Sequence, residues 1–136
     1  MKDIRRGLIT GVVEEGIGLG SKISYPTINI VLQRDDGLRG VYVCEVKIGD
    51  VEGSSRLRAR GVCYIGEKST LPDDKFICEV FLFGDFGELY GKFARVKLLK
   101  KIRDVQKVKN LEELSALISG DVKKAKEWLS LNLGKN

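Results

Sequence analysis

The chain has 136 residues, 43% of them hydrophobic and 32% charged, which is the size of one domain able to bury its own core. It contains no histidine, so every mechanism that needs an imidazole base or an imidazole metal ligand is excluded; catalysis would rest on carboxylates, Lys, Arg, Tyr or a bound metal ion. The net charge is +5, and no stretch approaches the roughly 20 apolar residues of a membrane-spanning helix.

Cys44, Cys63 and Cys78 are odd in number and each sits in an apolar, strand-like run, the pattern of buried reduced thiols rather than of disulfides or a sulfur-bound metal. The N-terminus Met1-Lys2-Asp3-Ile4-Arg5-Arg6 has no signal-type apolar run behind it. The reading therefore predicts a single domain over residues 1–136, cytoplasmic, monomeric and without membrane attachment.

Through the first hundred positions apolar and polar residues alternate in short runs broken by Gly, Asp and Ser, the pattern of an antiparallel sheet or barrel. The first of six predicted strands runs from Gly7 to Glu14. It leads into Glu15-Gly16-Ile17-Gly18-Leu19-Gly20-Ser21-Lys22, where Gly16, Gly18 and Gly20 let backbone N–H groups turn toward a phosphate; a flexible hairpin loop explains them equally well. A strand follows instead of a helix, so this is neither a Walker loop nor a dinucleotide fingerprint.

The second strand, Pro26 to Leu32, puts Thr27 and Asn29 on one face about 7 Å apart, with Pro26, Ile28 and Ile30 on the other. Thr is favoured in strands and Asn is not, so Asn29 needs a reason. Two hard oxygens so placed suit a cation or a phosphate; a strand start with a surface Asn is the bland alternative. The third strand is predicted from Gly40 to Ile48. The fourth, Arg56 to Ile65, alternates Arg56, Arg58 and Arg60 with Leu57 and Ala59.

The fifth strand, Phe76 to Phe83, carries Glu79 on a face with Ile77, Phe81 and Phe83. A carboxylate against apolar walls resists ionising and becomes able to take a proton from an attacking hydroxyl, whereas on a solvated outer face it would do neither. The sixth strand, Phe93 to Ile102, alternates Arg95 and Lys97 with Ala94, Val96 and Leu98. It lies in a window, Lys92 to Lys109, holding eight cations against Asp104 alone, which suits nucleic acid, an anionic substrate or a solvated face. Helical spacing begins after Asn110, a cap for Leu111 to Ser119 with Glu113 three residues on. Gly120 is then predicted to end that helix and Asp121 to cap a second one to about Leu133, with Val122, Ala125, Leu129 and Trp128 toward the barrel.

Taken together and in order, several of these elements resemble the ATP-dependent riboflavin kinase (flavokinase) family. The matching residues are the glycine loop, Pro26-Thr27-Ile28-Asn29, Gly40-Val41-Tyr42, Gly61-Val62 with Ile65-Gly66, Glu79, Tyr90-Gly91, Ile102-Arg103, Leu111-Glu112-Glu113-Leu114 and Asp121. They cover nearly the whole chain, from Gly7 to about Leu131. The resemblance implies a mainly β fold, a six-stranded antiparallel Greek-key barrel (about 7–103) with C-terminal helices (about 110–133). It implies phosphoryl transfer from ATP to riboflavin, giving FMN and ADP, with small-molecule substrates and Mg²⁺ or another divalent cation.

By the same resemblance Thr27 and Asn29 would hold the metal and the ATP phosphates, and Gly16, Gly18, Gly20 and Lys22 would cover the nucleotide. Glu79 would be the base, and Arg103, Asp104 and Val108 would lie in a flap at the flavin. The chain departs from the family at Ser21 to Tyr25, where Arg-x-Leu-Gly-Phe is usual, and at Ile28, Tyr64, Ser69 and Val108, where Ala, Asn, Pro and Phe are usual. Many members carry a further domain that turns FMN into FAD; with Met1 only a few residues before the barrel, this chain is expected to stop at FMN.

Two other functions use the same barrel. A non-catalytic flavin-binding regulator fits the altered approach at Ser21 and Ser24. A nucleic-acid-binding barrel fits the arginine face and the basic window, but aromatics are 7% of the chain and none alternates with those cations, so base-stacking platforms are missing.

Overall fold

A computed structural model describes residues 3–5, 7–14, 25–33, 37–67 and 76–133. Among the described residues seven strands form one antiparallel sheet: β1 (Asp3–Arg5), β2 (Leu8–Val12), β3 (Thr27–Val31), β4 (Gly40–Gly49), β5 (Leu57–Glu67), β6 (Phe76–Leu82) and β7 (Phe93–Arg103), in the order β1-β2-β7-β4-β5-β6-β3. β4, β5 and β6 form a meander and β7 returns beside β4, the Greek-key arrangement. The sheet curls until Glu14, just past β2, meets β3 through a single bridge, its N–H donating to the Asn29 carbonyl at 2.7 Å. The six predicted strands are all present. The short β1, which the sequence reading did not anticipate, extends the sheet beyond β2.

Period-two alternation gives the barrel two apolar faces. The inner one is filled by β-branched side chains such as Ile9, Ile28, Ile30, Val46, Ile65 and Val80, together with the three cysteines, all buried and unbridged. Each of those isoleucines contributes roughly 2–3 kcal/mol by leaving water. Burial pushes the Cys63 thiol well above its ordinary pKa, and hydrogen bonds with Cys44 and Cys78 add to the shift. Gly61 lets β5 approach β6 closely, since any Cβ there would meet the Phe81 carbonyl.

The outer apolar patch, Val41, Val43, Val62 and Phe81, is covered by a helix. Two register slips in the β4–β7 ladder, between Val41 and Tyr42 and between Val43 and Cys44, leave Leu99 and Ile102 without register partners. Both pack on the helix side with that patch.

The helix corrects the sequence reading. It is one element, α1 (Leu111–Leu133), not two. Its start is capped as predicted: the Glu113 N–H donates to Asn110 Oδ1 at 2.8 Å, while the Glu113 carboxylate accepts from the Lys109 N–H at 2.9 Å. Gly120 does not end it. A glycine in a helix interior costs about 1 kcal/mol, too little to break a helix that docks on either side of it, through Ile118 before and Val122, Ala125 and Leu129 after.

Asp121, expected as a cap, is instead buried on the docking face. Arg103 at the end of β7 grips it with two parallel bonds, Nε to Oδ1 and Nη2 to Oδ2, each 2.8 Å. Among the described residues no helix is long and apolar enough to cross a membrane.

Two substitutions test this account of the helix. Gly120 is exposed and a Cβ there meets nothing within 4 Å, so Gly120→Ala should raise stability by roughly 0.5–1 kcal/mol, read as a higher unfolding midpoint. A lower midpoint would mean that the helix breaks there. Asp121→Ala leaves the half-buried Arg103 guanidinium without its carboxylate and should cost about 3 kcal/mol in denaturant unfolding. A loss below about 1 kcal/mol would make the pair a solvent-screened one.

Candidate active site

The site lies on the outer face, where one line of residues crosses five strands. Asn29 on β3 faces Glu79 on β6, Glu79 faces Tyr64 on β5, Tyr64 faces Val41 on β4, and Val41 faces Arg103 on β7. Directly opposed residues in antiparallel strands project to the same side with Cβ atoms about 5 Å apart, so Asn29, Glu79 and Tyr64 form one contiguous polar set. From Arg103 the line continues into α1 through Asp121.

Between this line, the 104–108 segment and α1 lies a cleft of about 520 Å³, whose wall is mostly apolar. Glu79, Tyr64, Arg103 and Asp121 are among its polar side walls, with Val41, Phe81 and Ile118 among its apolar ones. Glu79 is only 5% exposed. It occupies the outer face, but the helix and the 104–108 segment shelter that face, so the carboxylate is buried there and not solvated.

Asn29 is 6% exposed, which removes the bland reading of it as a surface residue. Thr27 is partly buried and lines a second, smaller cavity of about 150 Å³ at the start of β3, with Glu14, Leu82 and Tyr90 also on its wall. The two oxygens predicted to act together thus lie on one strand, Asn29 beside the Glu79 carboxylate and Thr27 one step nearer the small cavity. Gly16, Gly18, Gly20 and Lys22 lie outside the described residues.

Of the three predicted flap residues, Arg103 and Val108 line the cleft. Asp104 does not. Its side chain is 88% exposed and bonds Lys101 Nζ at 2.7 Å, three residues back on the strand, and that ammonium group holds the Asp104 carboxyl below its ordinary pKa. Only its backbone serves the site, the carbonyl accepting from Arg103 Nη1 at 3.0 Å.

Among the cleft residues not assigned to it from sequence are Tyr64 and Asp121. Tyr64, noted only as a departure from the family pattern, folds back over Gly66, where a Cβ would strike its ring, and donates its hydroxyl to the Glu67 carbonyl at 2.7 Å. Burial raises its pKa, and the negative charges of Glu67 and Glu79 raise it further, so the phenol stays a proton donor. Asp121 had a legible signal: it stands three residues after Ile118 and four before Ala125, a carboxylate on an otherwise apolar helix face.

The donor set at β3 suits a hard divalent cation, because a Thr hydroxyl and an Asn carboxamide oxygen are neutral oxygen ligands of the kind Mg²⁺ accepts alongside phosphate oxygens and water. No imidazole or thiolate competes for it there.

Comparison with known proteins places the chain in a family. A family model for riboflavin kinase (flavokinase) matches residues 4–129. The bifunctional riboflavin kinase/FMN adenylyltransferase of Escherichia coli (strain K12) is 36% identical over 124 residues, 90% of this chain. The chain spans 38% of that relative's length. A macrolide-efflux protein from Streptococcus pneumoniae shares the fold at a TM-score of 0.71 and 28% identity, over 89% of this chain and 38% of that one. Riboflavin kinase from Trypanosoma brucei matches at a TM-score of 0.66 over 93% of this chain and 81% of that one; at 23% identity the likeness is one of fold. With the family model covering nearly its whole length, the chain belongs to the riboflavin kinase family.

Proposed function

We propose that the chain transfers the terminal phosphoryl group of ATP to the ribityl 5′-hydroxyl of riboflavin, giving FMN and ADP. The observation that carries this is the burial of Glu79 in the wall of a cleft large enough for a planar heteroaromatic ligand, with Asn29 as its direct neighbour across the ladder. Family membership supports the same reading.

Phosphoryl transfer asks for positioning and charge neutralisation more than for covalent chemistry. In the proposed step the hydroxyl oxygen forms a bond to the γ-phosphorus, the bond from that phosphorus to the β,γ-bridging oxygen breaks, and ADP leaves. Glu79 takes the hydroxyl proton from its sheltered place in the cleft wall. The flavin ring lies in the cleft against Val41, Phe81 and Ile118, and Arg103, fixed by Asp121, bounds it on the flap side. Val108 adds a contact from the flap.

Thr27 and Asn29 are the residues that would hold Mg²⁺ and the nucleotide phosphates. A Mg²⁺ there neutralises phosphate charge. The small cavity beside Thr27 leaves room at the nucleotide end, and the glycine loop with Lys22 is assigned to cover it.

Purified protein mixed with riboflavin and Mg-ATP should yield FMN and ADP by chromatography. Absence of turnover from protein shown to be folded would contradict the proposal and leave a flavin-binding barrel. Asn29→Ala should move the Mg²⁺ concentration needed for half-maximal rate upward by roughly tenfold or more. An unchanged Mg²⁺ dependence would take Asn29 out of the metal site.

A further inference from the structure

The outer face of the barrel has two halves, and α1 covers only one. At the far end from the cleft, the strand register puts Arg58 on β5 opposite Lys47 on β4, Lys47 opposite Arg95 on β7, and Arg95 opposite Thr10 on β2. Two residues along the strands a second row follows, Arg60 opposite Glu45 opposite Lys97. The inward partners of these residues, Val46, Ala59, Ala94 and Val96, are in the barrel core, so the cations all point outward. Lys126 from α1 borders the second row: its ammonium lies 5.2 Å from the Phe83 ring centre, and the Phe83 N–H bonds the Arg60 carbonyl.

Like charges directly opposite each other destabilise a sheet, and Lys47 faces an arginine on both sides. The fold does not relieve this. Among the described residues Lys47, Arg58, Arg95 and Lys97 take part in no ion pair, and the one acid that β2, β4, β5 and β7 bring to the two rows, Glu45, sits 3.7 Å from Arg60. Cations spaced about 4.8 Å across strands and about 7 Å along them, held on a sheet, form a fixed positive lattice roughly 10 Å wide.

We infer that this face binds double-stranded nucleic acid through its phosphate backbone, without reading sequence. A duplex strand offers a phosphate every 3.4 Å of rise, so a lattice of this width meets two or three of them. The rows carry no aromatic side chain on which bases could stack, which disfavours single strands and leaves backbone contact as the mode. A bilayer surface would need apolar residues among the cations; Leu8, opposite Lys97 and half-buried, is the one these rows offer. The lattice is separate from the kinase site. Lys47 lies six residues from Val41 along β4, about 20 Å.

The test measures fluorescence anisotropy of a labelled duplex of about 20 base pairs and arbitrary sequence between 50 and 200 mM salt. With about three phosphates neutralised, log affinity against log salt should have a slope near −2.7, a loss of roughly 40-fold across that range. The double variant Lys47→Gln/Arg95→Gln should lose about 1.8 from the slope, whereas Lys109→Gln, removing a cation elsewhere, should leave it nearly unchanged. FMN production should be the same in all three proteins. Relief of like-charge contact should leave the unfolding midpoint of the double variant equal or higher, so a misfolded variant would be recognised.

No duplex binding at 50 mM salt, or an unchanged slope in the double variant, would overturn the inference. So would tighter binding to a single strand of the same length. Binding to vesicles of equal parts phosphatidylserine and phosphatidylcholine, with none to duplex, would assign the face to membranes instead.

Discussion

Cross-strand register is the constraint on which everything else in this molecule depends. Side chains alternate with a period of two, so pairing Asn29 with Glu79 and Glu79 with Tyr64 fixes all three on the barrel's outer face. A slip of one residue in β6 would turn Glu79 inward among Ile30, Cys63 and Ile65, an uncompensated charge in a dry core at a cost of several kcal/mol. The same slip would lift Cys78 and Val80 out of the core. Core packing and the placement of the proposed base are therefore one requirement: the residues that fill the barrel determine which way the carboxylate points.

An outward carboxylate would ordinarily be solvated. What prevents this is α1 and the segment leading into it, docked on Val41, Val43, Val62 and Phe81 and tied to β7 by the Arg103–Asp121 pair. The pair links the end of the last strand to the middle of the helix and so sets the width of the cleft between them. Where α1 stops covering the sheet, the outer face changes character, from apolar side chains that need a helix to cations that need an anion.

The strands were legible because β-branched alternation is a strong local signal and because turns at Gly, Pro and Asp punctuate it. β1 was not, since Asp3-Ile4-Arg5 has a single apolar side chain and is a strand only by virtue of pairing with β2. Gly120-Asp121 carried the local signature of a stop and a restart, and tertiary docking overrode it. For Glu79 the sequence told which neighbours share its face but not what covers that face, because the cover comes from a helix more than thirty residues away. Asp104 lies off the cleft wall for the opposite reason: it follows Arg103 directly, yet a lysine three residues back claims its carboxylate. The resemblance to a family carried the proposed roles of Thr27, Asn29 and Glu79, which spacing alone left open, and the structure adds that Asn29 and Glu79 are neighbours.

The central claim is that Glu79 is the base, and the measurement that reaches it is a comparison of Glu79→Gln with the parent protein in two experiments. One is the rate of phosphoryl transfer in a single turnover; the other is riboflavin affinity in the absence of ATP. Gln keeps the shape and polarity of the side chain but cannot accept the proton, so the account predicts a chemical step slowed by about 100-fold or more with riboflavin affinity changed by less than about threefold. A parallel loss in both, or a chemical step left intact, would contradict it.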